Sequence, residues 1–300
     1  MQFTKGHGTG NDFVIIPDPD GGLTLTPALV AGLCDRRFGV GADGVLRVIR
    51  SAAHPDAARY APDAEWFMDY WNADGSVAEM CGNGARVFVR YLLATGLTDG
   101  PELPVATRAG LVRARVDRGE ISVRMRRPRL SEGAVARVGG RDFAGTAVEV
   151  GNPHLVCPVP PDVRLDDLDL TRAPGFAAAR FPAGVNVEFV EPVGSPSGSP
   201  EPVAAAGPVG AAGPVGAAAT DAHVRMRVYE RGSAETLSCG TGACAVAAVA
   251  LRERGRETGT VTVDVPGGRL TVTIEEAACW LAGPAVLVAA GEVNPTALPR

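Results

Sequence analysis

Two short stretches, Cys81-Gly82-Asn83-Gly84-Ala85 and Cys239-Gly240-Thr241-Gly242-Ala243, decide how this chain reads. Both spell C-G-x-G-A, and 158 residues separate them. Each opens a segment predicted to be helical: Gly82 to Ala94, stopped by Gly96, and Gly240 to Arg254, stopped by Gly255. Tyr70 precedes the first cysteine by 11 residues and Tyr229 precedes the second by 10. Gly10-Asn11 leads into a strand in the first half, as Gly151-Asn152 does in the second. The pattern predicts a duplicated α+β unit with one cysteine in the same place in each copy.

A helix N-terminus exposes unpaired N–H groups and about half a positive charge. It can hold a carboxylate or phosphate, and it favours a thiolate over a thiol, so a depressed thiol pKa is expected there. Small residues let a ligand approach the backbone closely. A single buried cysteine before a glycine carries little functional weight; two matching motifs in one chain point to function. Cys34, Cys157, Cys244 and Cys279 lack the pattern and read as packing residues. The run Ala243 to Leu251 is apolar on all sides, which predicts a helix enclosed by sheet.

Outward from the motifs, strands are expected at Asp12–Ile16, Gly44–Ile49, Trp66–Trp71, Leu111–Val116 and Ile121–Met125 in the first half. The second half repeats the grammar at Ala147–Val150, Leu155–Cys157, Val185–Val190 and Val224–Tyr229. Val261–Val265 and Leu270–Ile274 form a hairpin across Pro266-Gly267-Gly268. Thr26-Pro27 opens a helix expected to run to about Arg37. Residues 194–219 have another texture: their only charge is Glu201, and the hexamer G-P-V-G-A-A occurs at Gly207 and again at Gly213. Such a stretch reads as a low-complexity surface insertion without chemistry.

Composition removes several function classes. With 46% apolar and 21% charged residues the chain is globular. A net charge of −5 disfavours nucleic-acid binding, and no apolar run approaches the roughly 18 residues of a membrane span. No secretory signal is visible and no C-x-x-C occurs, so free thiols in the cytoplasm are expected and a zinc site is not. Of 29 basic residues only Lys5 is lysine, and it lies in the first strand. Pyridoxal enzymes hold their cofactor through a lysine, so a pyridoxal mechanism is disfavoured and no cofactor is expected.

Two thiols facing each other across a cleft suit the inversion of a carbon stereocentre: one face gives up a proton while the other receives one. Without a pyridoxal ring, stabilisation of the carbanion must come from aimed N–H dipoles in a water-poor site. Two helix N-termini converging on one carboxylate would supply them.

At these residues the sequence closely resembles the diaminopimelate epimerase family. The likeness runs through Lys5-Gly6-His7-Gly8-Thr9-Gly10-Asn11-Asp12-Phe13, Asn72-Ala73-Asp74-Gly75-Ser76 and Met80 to Arg86. It continues in Gly151-Asn152-Pro153-His154, Tyr229-Glu230-Arg231-Gly232 and Ser238 to Ala243. The resemblance implies an α+β fold of two pseudo-symmetric lobes, each a mostly antiparallel sheet wrapped around a central helix. One lobe would hold residues 1–127, with 284–300 returning to it; the other would hold 128–283. It implies interconversion of LL- and meso-2,6-diaminopimelate, a small amino-acid substrate on the route to lysine and peptidoglycan. Cys81 and Cys239 would be the acid–base pair, Cys239 accepting the proton in the LL-to-meso direction. Gly82, Asn83, Gly240 and Thr241 would hold the reacting carboxylate. Asn11, Asn72, Asn152, Asn186, Glu230 and Arg231 would contact substrate, Arg231 by its planar fork on the distal carboxylate. His154 would tune Cys81, and Glu230 would tune Cys239.

Many family members carry Gln where this chain has Gly44, and some place an interfacial Tyr of a homodimer at about Ala289. Rival readings are a phenazine-biosynthesis-type isomerase, a proline racemase, a thiol–disulfide redox protein and a non-catalytic amino-acid binder. A substrate screen and an assay of α-proton exchange separate them.

Overall fold

A computed structural model describes residues 1–194 and 220–299; apart from Gly194, the low-complexity insertion lies outside the described residues. The first half runs β1 (Gln2–Gly8), β2 (Asn11–Pro17), α1 (Pro27–Cys34), β3 (Gly44–Arg50), β4 (Trp66–Asn72), α2 (Gly82–Ala94), β5 (Glu102–Thr107), β6 (Gly110–Asp117) and β7 (Glu120–Met125). The second runs β8 (Arg129–Val138), β9 (Arg141–Glu149), β10 (Pro153–Pro158), β11 (Gly175–Phe176), β12 (Asn186–Pro192), β13 (Ala222–Glu230), β14 (Ala234–Thr236), α3 (Gly240–Arg252), β15 (Gly259–Val265), β16 (Gly268–Ile274), β17 (Cys279–Gly283) and β18 (Val286–Glu292).

The ladders repeat between the halves. β1–β2 is antiparallel, β2–β3 parallel, β3–β4 antiparallel and β4–β5 parallel; β5–β6 and β6–β7 are antiparallel. In the same order and sense come β9–β10, β10–β12, β12–β13, β13–β15, β15–β16 and β16–β17. β18 flanks β1 as β8 flanks β9. An antiparallel β7–β17 ladder joins the two halves. Each copy therefore threads one 13-residue helix, α2 or α3, against its own mostly antiparallel sheet.

Both helices lie in one apolar core that also takes in Phe13, Leu46, Val123, Val228, Val263 and Leu281. α3 is enclosed as its composition requires: eleven of its thirteen residues are buried. α1 stops at Cys34, short of the expected Arg37. The Asp35 carboxylate accepts the backbone N–H groups of Arg37 and Phe38, at 2.8 and 2.7 Å, which turns the chain out of the helix. The hairpin over Pro266–Gly268 forms in the expected register. No helix among the described residues is long and apolar enough to cross a membrane.

Candidate active site

The two helices begin side by side. Cys81 caps α2, its sulfur accepting Gly84 N–H at 3.4 Å; Cys239 caps α3 with Gly242 N–H at the same distance. Leu281 of β17 lies beneath both starts. A methyl group on Gly82 would sit 3.2 Å from its Cδ2, and one on Gly240 would sit 2.8 Å from it. A Cβ on Gly240 would also lie 3.8 Å from the Cα of Gly82. Glycines at the two starts leave room for the helices to meet over one leucine. Cys81 and Cys239 both line a single cleft of about 1280 Å³, larger than the roughly 300–1,000 Å³ of a small-molecule pocket.

Asn11, Asn72, Asn83, Asn152, Glu230, Arg231 and Thr241 all line this cleft, together with Gly82 and Gly240. Asn83 reaches across the helix starts, its Nδ2 donating to the Ser238 carbonyl at 3.2 Å. Asn152 Nδ2 donates to the Thr241 hydroxyl at 3.4 Å. Arg231 is exposed on the cleft wall, its Nη1 on the Ala183 carbonyl at 2.6 Å. Asn186 is buried behind that wall, where its side-chain oxygen accepts the Arg231 backbone N–H at 2.9 Å. It is not among the residues that line the cleft, and its side chain is bonded to the Arg231 backbone.

His154 does not pair with Cys81 as expected. Its ring is fully buried, with Nδ1 on Glu188 Oε1 at 2.6 Å and Nε2 on Asn152 Oδ1 at 3.0 Å. Strand β10 runs parallel to β12 with His154 beside Asn186, which carries the ring to the Cys239 side of the site. Glu188 was missed by sequence reasoning. Its only signal is a carboxylate inside the apolar run Val185 to Val190, and it sits so close to α3 that a Cβ on Gly242 would lie 2.7 Å from its Oε1. Glu230 bonds to the Thr236 hydroxyl and faces Cys239.

The expected low thiol pKa is also reversed. Burial pushes both thiols up, and the Glu230 carboxylate adds to it at each. Cys239 is pushed well up, by burial first, then by Glu230, with Glu188 adding to both. The N–H groups of Gly84 and Gly242 pull the other way and are outweighed. Burial likewise raises Glu230 above the usual carboxylate range, although the Thr236 hydroxyl and Cys239 thiol oppose it.

Gly44 has a structural reason. A Cβ there would lie 2.5 Å from the Trp71 carbonyl and 2.8 Å from the Tyr70 ring, and Tyr70 lines the cleft. Tyr70 therefore fills the space that a side chain at 44 would need.

The duplicated sheet-and-helix fold defines a structural class with known members. The chain superposes on a PhzF-family phenazine biosynthesis protein from Bacillus anthracis with a TM-score of 0.66, at 17% identity over 98% of this chain and 99% of that one. The narrower assignment comes from sequence. The profile of the diaminopimelate epimerase family matches residues 3–130 and 146–294. Diaminopimelate epimerases from Streptomyces coelicolor and Mycolicibacterium smegmatis are 49% and 45% identical to the chain, over 98% of it and 96% and 97% of their own lengths. The chain belongs to the diaminopimelate epimerase family.

Proposed function

We propose that the chain is an isomerase that interconverts LL- and meso-2,6-diaminopimelate with Cys81 and Cys239 as its acid–base pair. The observation that carries this reading is the meeting of two cysteine-capped helix starts over Leu281 at one cleft. The relatives' name supports the substrate.

In the LL-to-meso direction the Cys239 thiolate takes the α-proton as the Cα–H bond breaks. The Cys81 thiol then delivers its proton to the opposite face. Cys239 ends as a thiol and Cys81 as a thiolate, which is the starting state for the reverse reaction. Backbone N–H groups at Asn83 and Thr241 receive the negative charge that builds on the carboxylate. With both thiols pushed up by burial, the substrate's own ammonium group favours the thiolate when it enters. Arg231, exposed on the cleft wall, suits the distal carboxylate.

The test is conversion of LL-diaminopimelate in deuterated water. The wild type incorporates one solvent deuteron at the inverted carbon; Cys81→Ala and Cys239→Ala each lose at least about 10³-fold in kcat. Full turnover in either variant removes the two-thiol mechanism.

The reading includes a reducing, cytoplasmic location, supported by six cysteines that are all unpaired. It includes a lobe division near residue 128, supported by the return of β18 to β1. It also includes a homodimer. β18 pairs along one edge only among the described residues, and it exposes Val286 and Val288. Sedimentation checks the last point: a dimer is expected, and a Val288→Glu variant shifts it toward monomer.

A further inference from the structure

α2 carries a buried charged group a turn beyond its cysteine cap. Arg86 is fully buried, and no carboxylate among the described residues pairs with it. Nη2 donates to Asn83 Oδ1 at 2.9 Å and to the Thr9 hydroxyl at 3.4 Å; Nη1 donates to the Gly82 carbonyl at 3.4 Å, and Nε has no partner. The fold makes room for the group: a Cβ on Gly8 would lie 3.3 Å from Nη2, and one on Gly283 would lie 3.5 Å from it. A buried cation without a counter-ion is strongly unfavourable, and such groups persist where a function uses the charge.

The contacts lead to both sulfurs. With Oδ1 held by Arg86, the Asn83 amide can only turn its Nδ2 toward the Ser238 carbonyl and toward Asn11 Oδ1, at 3.2 and 3.4 Å. Asn11 Oδ1 also accepts the Cys81 thiol at 3.5 Å. Ser238 is the residue before Cys239, and its hydroxyl meets Thr9 Oγ1 at 2.7 Å. One guanidinium thus braces the two capping cysteines from different halves of the chain. We propose that Arg86 is a positioning residue: its unpaired buried charge fixes the Asn83 amide and is the counter-charge for the negative charge that gathers between the two helix starts during turnover.

The titratable groups that face Arg86 are Cys81, ahead of α2, and Cys244, from α3. Glu188 of β12 and Glu230 of β13 face Cys239 beyond it, and His154 of β10 faces those two carboxylates. Burial draws the guanidinium down to about 10, so it stays charged at neutral pH.

The proposal rests on the two-thiol reading, and two readouts keep their failures apart. The first is pH-dependent alkylation of Cys81 and Cys239 by iodoacetamide, followed by mass spectrometry, which needs no substrate. The second is the pH profile of kcat for epimerisation. In Arg86→Gln the alkylation midpoints move up by about one unit. Its kcat falls about 100-fold or more, while KM stays within a few-fold. Arg86→Lys keeps the wild-type midpoints and recovers at least about tenfold of kcat over the glutamine variant. Wild-type values in a folded Arg86→Gln overturn the proposal, and so does a lysine variant that matches the glutamine variant in both readouts.

Should neither variant fold, Asn83→Asp and Asn83→Ala decide, since the aspartate places a carboxylate within reach of Nη2 and cancels the charge. The proposal requires the aspartate variant to turn over about tenfold slower than the alanine variant and to alkylate at higher pH; equal values overturn it. A wild type that shows no α-proton exchange defeats the epimerase reading, and the alkylation arm still judges Arg86.

Discussion

Lys5 is the only lysine, and it sits in an ion pair. Its ammonium lies 2.7 Å from Asp12 Oδ2 across the β1–β2 ladder, and Arg36 grips the same carboxylate with two bonds of 3.1 and 2.7 Å. Burial raises the Asp12 carboxyl, but the Arg36 and Lys5 bonds outweigh it and hold the group at about 2. A carboxyl held below its unfolded value stabilises the fold above that value, near 3.8, and the stabilisation is lost as pH falls through about 2. Asp12→Asn is therefore expected to cost about 2 kcal/mol at pH 7, with the deficit closing between pH 4 and 2 in urea melts followed across that range. At this scale the sequence was partly legible. Cys81 and Cys239 stood out because a cysteine before Gly-x-Gly-Ala recurs. Glu188 and Arg86 did not, since a lone charge in an apolar stretch shows its use only when distant strands bring partners to it.

The helices were the most legible elements, because capping is local. Cys81 and Gly82, and Cys239 and Gly240, set both starts without help from the rest of the chain. Strands needed more. β8 is mostly exposed and lacks the alternation that marks a strand; it forms because Gly139 and Gly140, both at positive φ, close a tight turn onto β9. β18 is likewise exposed along most of its length and is held by β1, nearly the whole chain away. The α3 start also has a steric limit. Gly242→Ala places its methyl 2.7 Å from Oε1 and 3.2 Å from Cγ of the buried Glu188, which His154 holds in place. The variant is expected to lose about 1–3 kcal/mol in thermal unfolding. Its kcat should fall with it, because Cys239 and Glu188 are forced apart. A variant with wild-type melting and turnover would show that Glu188 yields freely.

At the scale of the molecule, the duplicated ladders share one apolar core, and β7–β17 stitches the copies together. Calorimetry should therefore show a single unfolding transition, with calorimetric and van't Hoff enthalpies in agreement; two resolved transitions would mean that the halves melt independently. The repeat was visible in the cysteine motifs and the spacing of Tyr70 and Tyr229. The β7–β17 seam was not, because nothing local marks which strands of two copies will meet. That seam carries Leu281, on which both helix starts rest. One side chain therefore acts as the shim between the two jaws of a vice: under the proposed two-thiol mechanism, the gap between the proton-accepting and proton-donating faces is gauged by this leucine. On that mechanism, a change in its bulk is expected to alter the removal and the delivery of the proton at once.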